Sequence, residues 1–219
     1  MIKITKGPEP PEWKLCRETP GASFSGAHKA ELRRSLWDEQ GHLCAYCMKR
    51  IVISDGSHKE LTRIEHLKSQ SWCKENGRED LLMDYHNLVL CCQGNDNDDA
   101  SRLSFECCDV HKHDACLSFD IFSDAFEKTL SYDIENGTLA SDDPDIHRDI
   151  NDTLNLNNTY LCRNRLAAFT AWLNYMHSSG SSLEEELRLR STPSDSCELL
   201  PYCGFIIWYL KSLLAIKRS

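Results

Sequence analysis

The sequence predicts an α+β chain in which a small unit of two strands and a helix, clamped by a metal ion, precedes a mainly helical layer. Three observations predict it. Cys44-Ala-Tyr-Cys47 presents two thiols at the spacing one tetrahedral ion needs, and the later pairs Cys91-Cys92 and Cys107-Cys108 can complete the coordination. Two segments of strand length, the alternating Leu61 to Leu67 and the apolar Leu88 to Leu90, lie between these cysteines. Beyond about residue 140 the apolar residues recur instead at the three- and four-residue intervals of core-facing helices.

Composition bounds the function classes. With 219 residues, 41% hydrophobic and 27% charged, the chain is long enough for one large or two small domains and is not compositionally disordered. The start, Met1 to Lys6, lacks the apolar stretch of a signal peptide, and no run reaches the roughly 18 apolar residues of a membrane span. A cytoplasmic protein without membrane contact is expected. In that compartment twelve cysteines point to metal rather than to disulfides. Cys16, Cys73, Cys116, Cys162, Cys197 and Cys203 stand apart and read as ordinary buried thiols. The net charge of −9 argues against general nucleic-acid binding, but it is unevenly spread. Residues 1–80 carry 14 Lys+Arg against 12 Asp+Glu, leaving 11 against 22 for residues 81–219. Lys29, Arg33, Arg34, Lys49, Arg50, Lys59, Arg63 and Lys68 are candidates for a phosphate track, with a solvated mixed-charge surface as the alternative.

Taken in order, Gly7 to Pro11 reads as a polyproline-like lead-in, and Ala27 to Gln40 as an amphipathic helix with Leu32, Leu36 and Trp37 on one face. Gly41 caps that helix and delivers the chain into the first cysteine pair. Leu61 to Leu67 reads as a strand with Glu65 and His66 on opposite faces near its end, so a bend is needed for both to reach one cleft. A helical turn is expected at Glu79 to Asp84, an antiparallel strand at Leu88 to Leu90 and a helix from Cys108. Phe126 to Leu139 reads as a hairpin with a type I′ turn at Glu135-Asn-Gly137. A helix with proline in its first turn follows Asp143, its stripe being Ile146, Ile150 and Leu154. Helices are also expected from Thr159 to His177, after Ser182 (a capping box with Glu185) and after Pro201. The boundary falls near residue 120, giving units 1–120 and 121–219. Leu183, Leu187 and Leu189, or the apolar face of residues 203–216, are the candidate docking surface of the second unit.

Within the cysteine clamp lie Glu65-His66, Asn87 and, after Cys108, Asp109 and Lys112, an unusual set for a purely structural metal ribbon. The order of Glu65-His66, Asn87-Leu-Val-Leu-Cys91-Cys92 and Cys108-Asp109-x-x-Lys112 resembles the HNH nucleases. The resemblance implies a ββα-metal (His-Me finger) nuclease core with Zn²⁺ held by Cys44, Cys47, Cys92 and Cys108. Cys91 and Cys107 are competitors for the same ion, and His111 or His113 could replace a thiolate or join a catalytic metal. It further implies His66 as general base, Glu65 and Asp109 as ligands of a catalytic Mg²⁺ or Mn²⁺, and Asn87 as the residue orienting the loop or the histidine. Two departures stand out. Asn95 occupies the position of the last cysteine, so Gly94 to Glu106 reads as an inserted loop, and Ser69 stands where many relatives have proline.

The start Met1 to Pro11, the run Asn87 to Asn95 and Leu154-Asn-Leu-Asn157 make the chain similar to the PtuB-type HNH proteins of Septu antiphage systems and Septu-like retron effectors. That implies an effector whose partner is a PtuA-type ATPase of the ABC/SMC-like class, in some systems beside a retron reverse transcriptase and its nucleic acid. The chain carries no G-x-x-x-x-G-K-[ST] phosphate loop of its own. Two alternatives are a catalytically inactive zinc adaptor, which has no need of Glu65, His66 and Asn87 together, and a stand-alone restriction-type nuclease, which calls for a basic appendage. DNA and RNA, tRNA included, offer the same phosphodiester.

Overall fold

The computed structural model describes residues 1–53, 61–94 and 105–218. Pro10 is extended (φ −59°, ψ 136°) and α1 (Pro11–Glu18) opens on Pro11, whose missing N–H costs nothing at a helix start. This helix was not legible, because along its length only Trp13 is buried. The amphipathic helix α2 (Ala30–Glu39) buries Leu32 and Leu36, and it starts three residues later than its sequence pattern, without a capping side chain. Gly41 takes φ +65°, and a Cβ there would lie 2.6 Å from Leu199, so both the turn and the close approach require glycine. The chain then folds back between Leu43 and Arg50, with the Cys44 N–H bonded to the Lys49 carbonyl at 2.9 Å.

Strand β1 (Arg63–His66) pairs antiparallel with β2 (Leu88–Cys91), Glu65 opposite Val89 and His66 opposite Leu88. Between them lie α3 (Gln70–Glu75) and 3₁₀ turns at Glu79–Leu82 and Tyr85–Asn87. Ser69 caps α3, its hydroxyl accepting from the Trp72 N–H at 3.2 Å. The serine that departs from the HNH pattern thus starts a helix that was not expected. The helix expected from Cys108 is a single turn, α4 (Asp109–Lys112), stopped by His113 at φ +50°. The body of the insertion, residues 95–104 with Asn95, lies outside the described residues, as does Lys59. Its ends meet, since the Cys107 N–H donates to the Gly94 carbonyl at 3.1 Å.

The second half contains α5 (Asp124–Lys128), a hairpin of β3 (Leu130–Tyr132) and β4 (Leu139–Ser141), α6 (Pro144–Arg148), α7 (Thr159–Ser179), α8 (Leu183–Ser191) and α9 (Cys203–Arg218). The hairpin does not use a type I′ turn. Only Gly137 has positive φ there, whereas type I′ needs two such residues, and Asp133 closes a longer loop by pairing with Thr138. Asp143 caps α6, Asn158 caps α7 and Ser182 caps α8, while Gly180 ends α7 in the left-handed region. Ile146, Ile150 and Leu154 are buried as a stripe. Most of the apolar face of α9 is core: Phe205 stacks on Phe169 and Tyr132, and Ile206, Leu210 and Leu214 are buried. Leu183 and Leu187 pack against that core, leaving Leu189 as the exposed one of the three candidate docking leucines.

One apolar core includes residues on both sides of residue 120. The segment entering α9 backs the metal knuckle directly: the Leu199 N–H donates to Gly41 (3.1 Å) and the Tyr202 N–H to Met48 (3.0 Å). Among the described residues, no helix is long and apolar enough to cross a membrane.

Candidate active site and metal centre

The turn at Gly41, the end of β2 and the residue before α4 bring Cys44, Cys47, Cys92 and Cys108 together as a buried four-thiol cluster that could hold a metal such as zinc. Their sulfurs all lie within 4.8 Å of one another. The pairs Cys44–Cys108, Cys47–Cys92 and Cys92–Cys108 are each separated by 3.8 Å. A tetrahedron with Zn–S bonds near 2.3 Å has S–S edges of about 3.8 Å, so the spacing suits one ion. Cys91, the alternative to Cys92, is also buried but is not one of the four, as alternation along an extended chain requires. Cys107 is likewise outside the set, though its sulfur is 3.6 Å from that of Cys108. His111 bonds the Thr153 carbonyl and replaces no thiolate. Of the isolated cysteines, Cys73, Cys162 and Cys203 are buried, Cys16 and Cys116 partly so, and Cys197 is exposed, contrary to the expectation of six buried thiols.

Beside this centre, Glu65, His66, Asp109 and His113 line one cavity of about 560 Å³. The bend needed for both strand residues is supplied at the end of β1, where the chain leaves the sheet after His66. The His66 Nε2 lies 3.0 Å from the Leu82 carbonyl oxygen. A carbonyl only accepts, so Nε2 carries the proton and Nδ1 keeps its lone pair. Burial lowers the pKa of this imidazole, the Leu82 hydrogen bond opposing and Lys112 assisting, so the ring is a neutral base at neutral pH.

Glu65 is 5% exposed, and its Oε1 receives the Lys112 ammonium at 2.7 Å and the Tyr46 hydroxyl at 3.3 Å. Burial pushes its pKa up to about 8, with the Asp109 carboxyl beside it adding to the rise and Lys112 opposing it. Asp109 in turn has the Arg63 guanidinium 3.9 Å away. Two adjoining carboxyls, one of them short of positive charge even with a lysine in contact, form an oxygen donor set that fits a hard divalent cation.

Asn87 is not among the cavity-lining residues. Its Oδ1 accepts from the Lys68 N–H at 2.8 Å, and its Nδ2 donates to the carbonyls of Lys68 (3.1 Å) and Leu81 (3.0 Å). It therefore fixes the chain on both sides of the His66 ring rather than the ring itself. Sequence reasoning gave no role to Lys112, Tyr46 or Phe24. Lys112, three residues after Asp109 and so on its helix face, was the one signalled by spacing. Of the basic residues proposed as a track, Lys29, Arg33 and Arg63 line the cavity. Arg34 instead pairs with Asp38, Arg50 bonds the carbonyls of Gly41 and Leu199, and Lys68 lies over Trp72.

Compared with known proteins, the chain matches no protein-family model and no curated protein at a significant level.

Proposed function

We propose that this chain is a metal-dependent HNH-type endonuclease that hydrolyses phosphodiester bonds of nucleic acid. The observation that carries the reading is a histidine with its Nδ1 lone pair free beside two adjoining carboxyls, in a cavity walled by Lys29, Arg33 and Arg63. A divalent cation held by Glu65 and Asp109 would supply positive charge to the phosphate and the leaving oxygen. His66 Nδ1 takes the proton from the attacking water, while the Leu82 carbonyl keeps the ring in that tautomer. Lys112 and Tyr46 hold Oε1 of Glu65 beside the Asp109 carboxyl, where the two acids would share the cation. Zinc, held by Cys44, Cys47, Cys92 and Cys108, would close the ββα-metal core.

The same reading makes the chain the effector subunit of an antiphage complex with a PtuA-type ATPase, beside a retron reverse transcriptase in some systems. Its support is the resemblance of the central block together with the charge: a net −9 gives a nuclease little unaided grip on phosphate and leaves substrate access to a partner. The test is to incubate the purified protein, alone and with its ATPase, with plasmid and total RNA in Mg²⁺ or Mn²⁺. The wild type should cut, and His66→Ala, with zinc content and fold intact, should lose about 10²–10⁴-fold in rate. Undiminished cleavage by His66→Ala removes the histidine from the mechanism, and no cleavage by any wild-type combination refutes the nuclease reading.

A further inference from the structure

Resting on that nuclease reading, we propose that Phe24 is a base-stacking platform and that the substrate is an unpaired strand turning one nucleotide into the cavity beside His66. The reacting groups are recessed. His66 and Glu65 are only 4% and 5% exposed, at the wall of a cavity whose roughly 560 Å³ suits one small ligand rather than a rod. A duplex carries its phosphates on a stiff convex surface and must unpair and unstack to send one nucleotide inward. A single strand has no such obstacle.

Among the described residues lining the cavity, Phe24 is the one phenyl, indole or phenol ring. Its centroid is 4.4 Å from that of His66, at an interplanar angle of 70°. It therefore stands where a base flanking the cleaved phosphate has to go. It lies partly exposed on the connection between α1 and α2, anchored edge-on against Trp13 at 6.1 Å, while its flanking residues Ser23 and Ser25 are exposed and Gly21 takes φ +80° with nothing near its missing Cβ. The Lys29 ammonium sits over the ring at 4.8 Å. A partly exposed cation–π contact is weaker than base–aromatic stacking, so an incoming base displaces the ammonium, which then turns to the adjoining phosphate. Because every base offers a π face, such a platform selects for strandedness and not for sequence.

The test is fluorescence anisotropy on the full chain, with Ca²⁺ in place of Mg²⁺ to suppress turnover. The probes are labelled oligothymidylate, oligouridylate, an abasic strand of equal length and a duplex. The single strands should bind tighter than the duplex, and Phe24→Leu should weaken them by about 5- to 150-fold, the stacking of one base. Phe24→Trp should retain binding, and the abasic strand should bind wild type and Phe24→Leu alike. Thymidylate and uridylate arms report whether DNA, RNA or both enter. Duplex binding at least as tight as single-strand binding overturns the proposal, as does an equal Phe24→Leu loss on the abasic strand. If Phe24→Leu fails to fold, wild-type discrimination against the abasic strand and Phe24→Trp decide it. Single-strand binding with no cleavage of any probe in Mg²⁺, whether the chain is alone or with its ATPase, sinks the nuclease reading instead.

Discussion

Asn87→Ala removes three hydrogen bonds that tie Lys68 to Leu81, the residue next to the carbonyl that orients His66. At about 0.5–1.5 kcal/mol net for each bond, the loss comes to roughly 2–4 kcal/mol, weighted toward the upper end because the Lys68 N–H is left without its acceptor. For a chain of this size that is roughly 4–16 °C in Tm, readable by calorimetry. Activity should fall by a separate route. With Leu82 and the loop after His66 no longer held, the ring samples orientations that miss the water, forfeiting about 10–100-fold of what a positioned base contributes. The decisive assay is a double-mutant cycle in kcat. In a His66→Ala background Asn87→Ala should cost no further rate, while its stability loss persists. Multiplicative rate losses in the double mutant would show that Asn87 acts on something other than His66, and an unchanged Tm would refute the tether itself.

The metal and the surface give two further expectations. Cys108→Ser should leave less than one zinc per chain by metal analysis and collapse the melting transition of the whole protein, because binding energy at a closed thiolate site is folding energy; a well-folded, zinc-free variant would show that the four thiols stabilise nothing. Glu127 accepts from the Lys3 N–H (2.8 Å) and the Lys211 ammonium (2.6 Å), and although burial raises its pKa, these partners bring it below the ordinary carboxylate value. A depressed acid stabilises the fold above its unfolded pKa and loses that contribution as pH falls through the folded value, so Glu127→Gln should cost about 1 kcal/mol at pH 7 and almost nothing at strongly acid pH. A cost independent of pH would assign the effect to packing.

What was legible in the sequence follows from which forces are local. The CxxC spacing, the stripe of α2, the proline start of α6 and the Ser182 cap of α8 are decided by a few neighbouring residues, and each stands where its pattern put it. The helix α1 was missed because its one buried side chain, Trp13, finds its partner at the Met83 carbonyl 70 residues away. The wrong turn type at Asn136-Gly137 has a similar cause. Gly137 is wedged against the Cys162 carbonyl of α7, and that long-range contact, not the dipeptide, sets the loop. At the site, Glu65, His66 and Asp109 could be named from motif order. Of the hydrogen-bond partners that give them roles, the Leu82 carbonyl and the Tyr46 hydroxyl are signalled by no motif, whereas Lys112 stands in the motif without its role being readable there.

The adjacency of the two centres has its own physical consequence. Cys108 contributes a sulfur to the thiol cluster, Asp109 follows it into the cavity, and Lys112 closes the same single turn on Glu65. A four-residue helix has almost no stability of its own, since nucleation fixes several residues for one hydrogen bond. Its position is therefore set by outside contacts: the Cys108 N–H on the Leu154 carbonyl, His111 on the Thr153 carbonyl and the buried Lys112–Glu65 pair, whose side chains are 0% and 7% exposed, to which a metal at Cys108 would add a further anchor. Without an ion at the thiols, the Cys108 end, one residue before Asp109, would be held by its N–H bond to the Leu154 carbonyl and by His111 on the Thr153 carbonyl, a looser constraint on the Asp109 carboxyl than a metal–thiolate bond. A metal at the thiols would thus tighten the separation of the Glu65 and Asp109 carboxyls. A metal with a closed, purely structural ligand set would, by its place in the chain, also help to fix the distance between the two carboxylates of the neighbouring site.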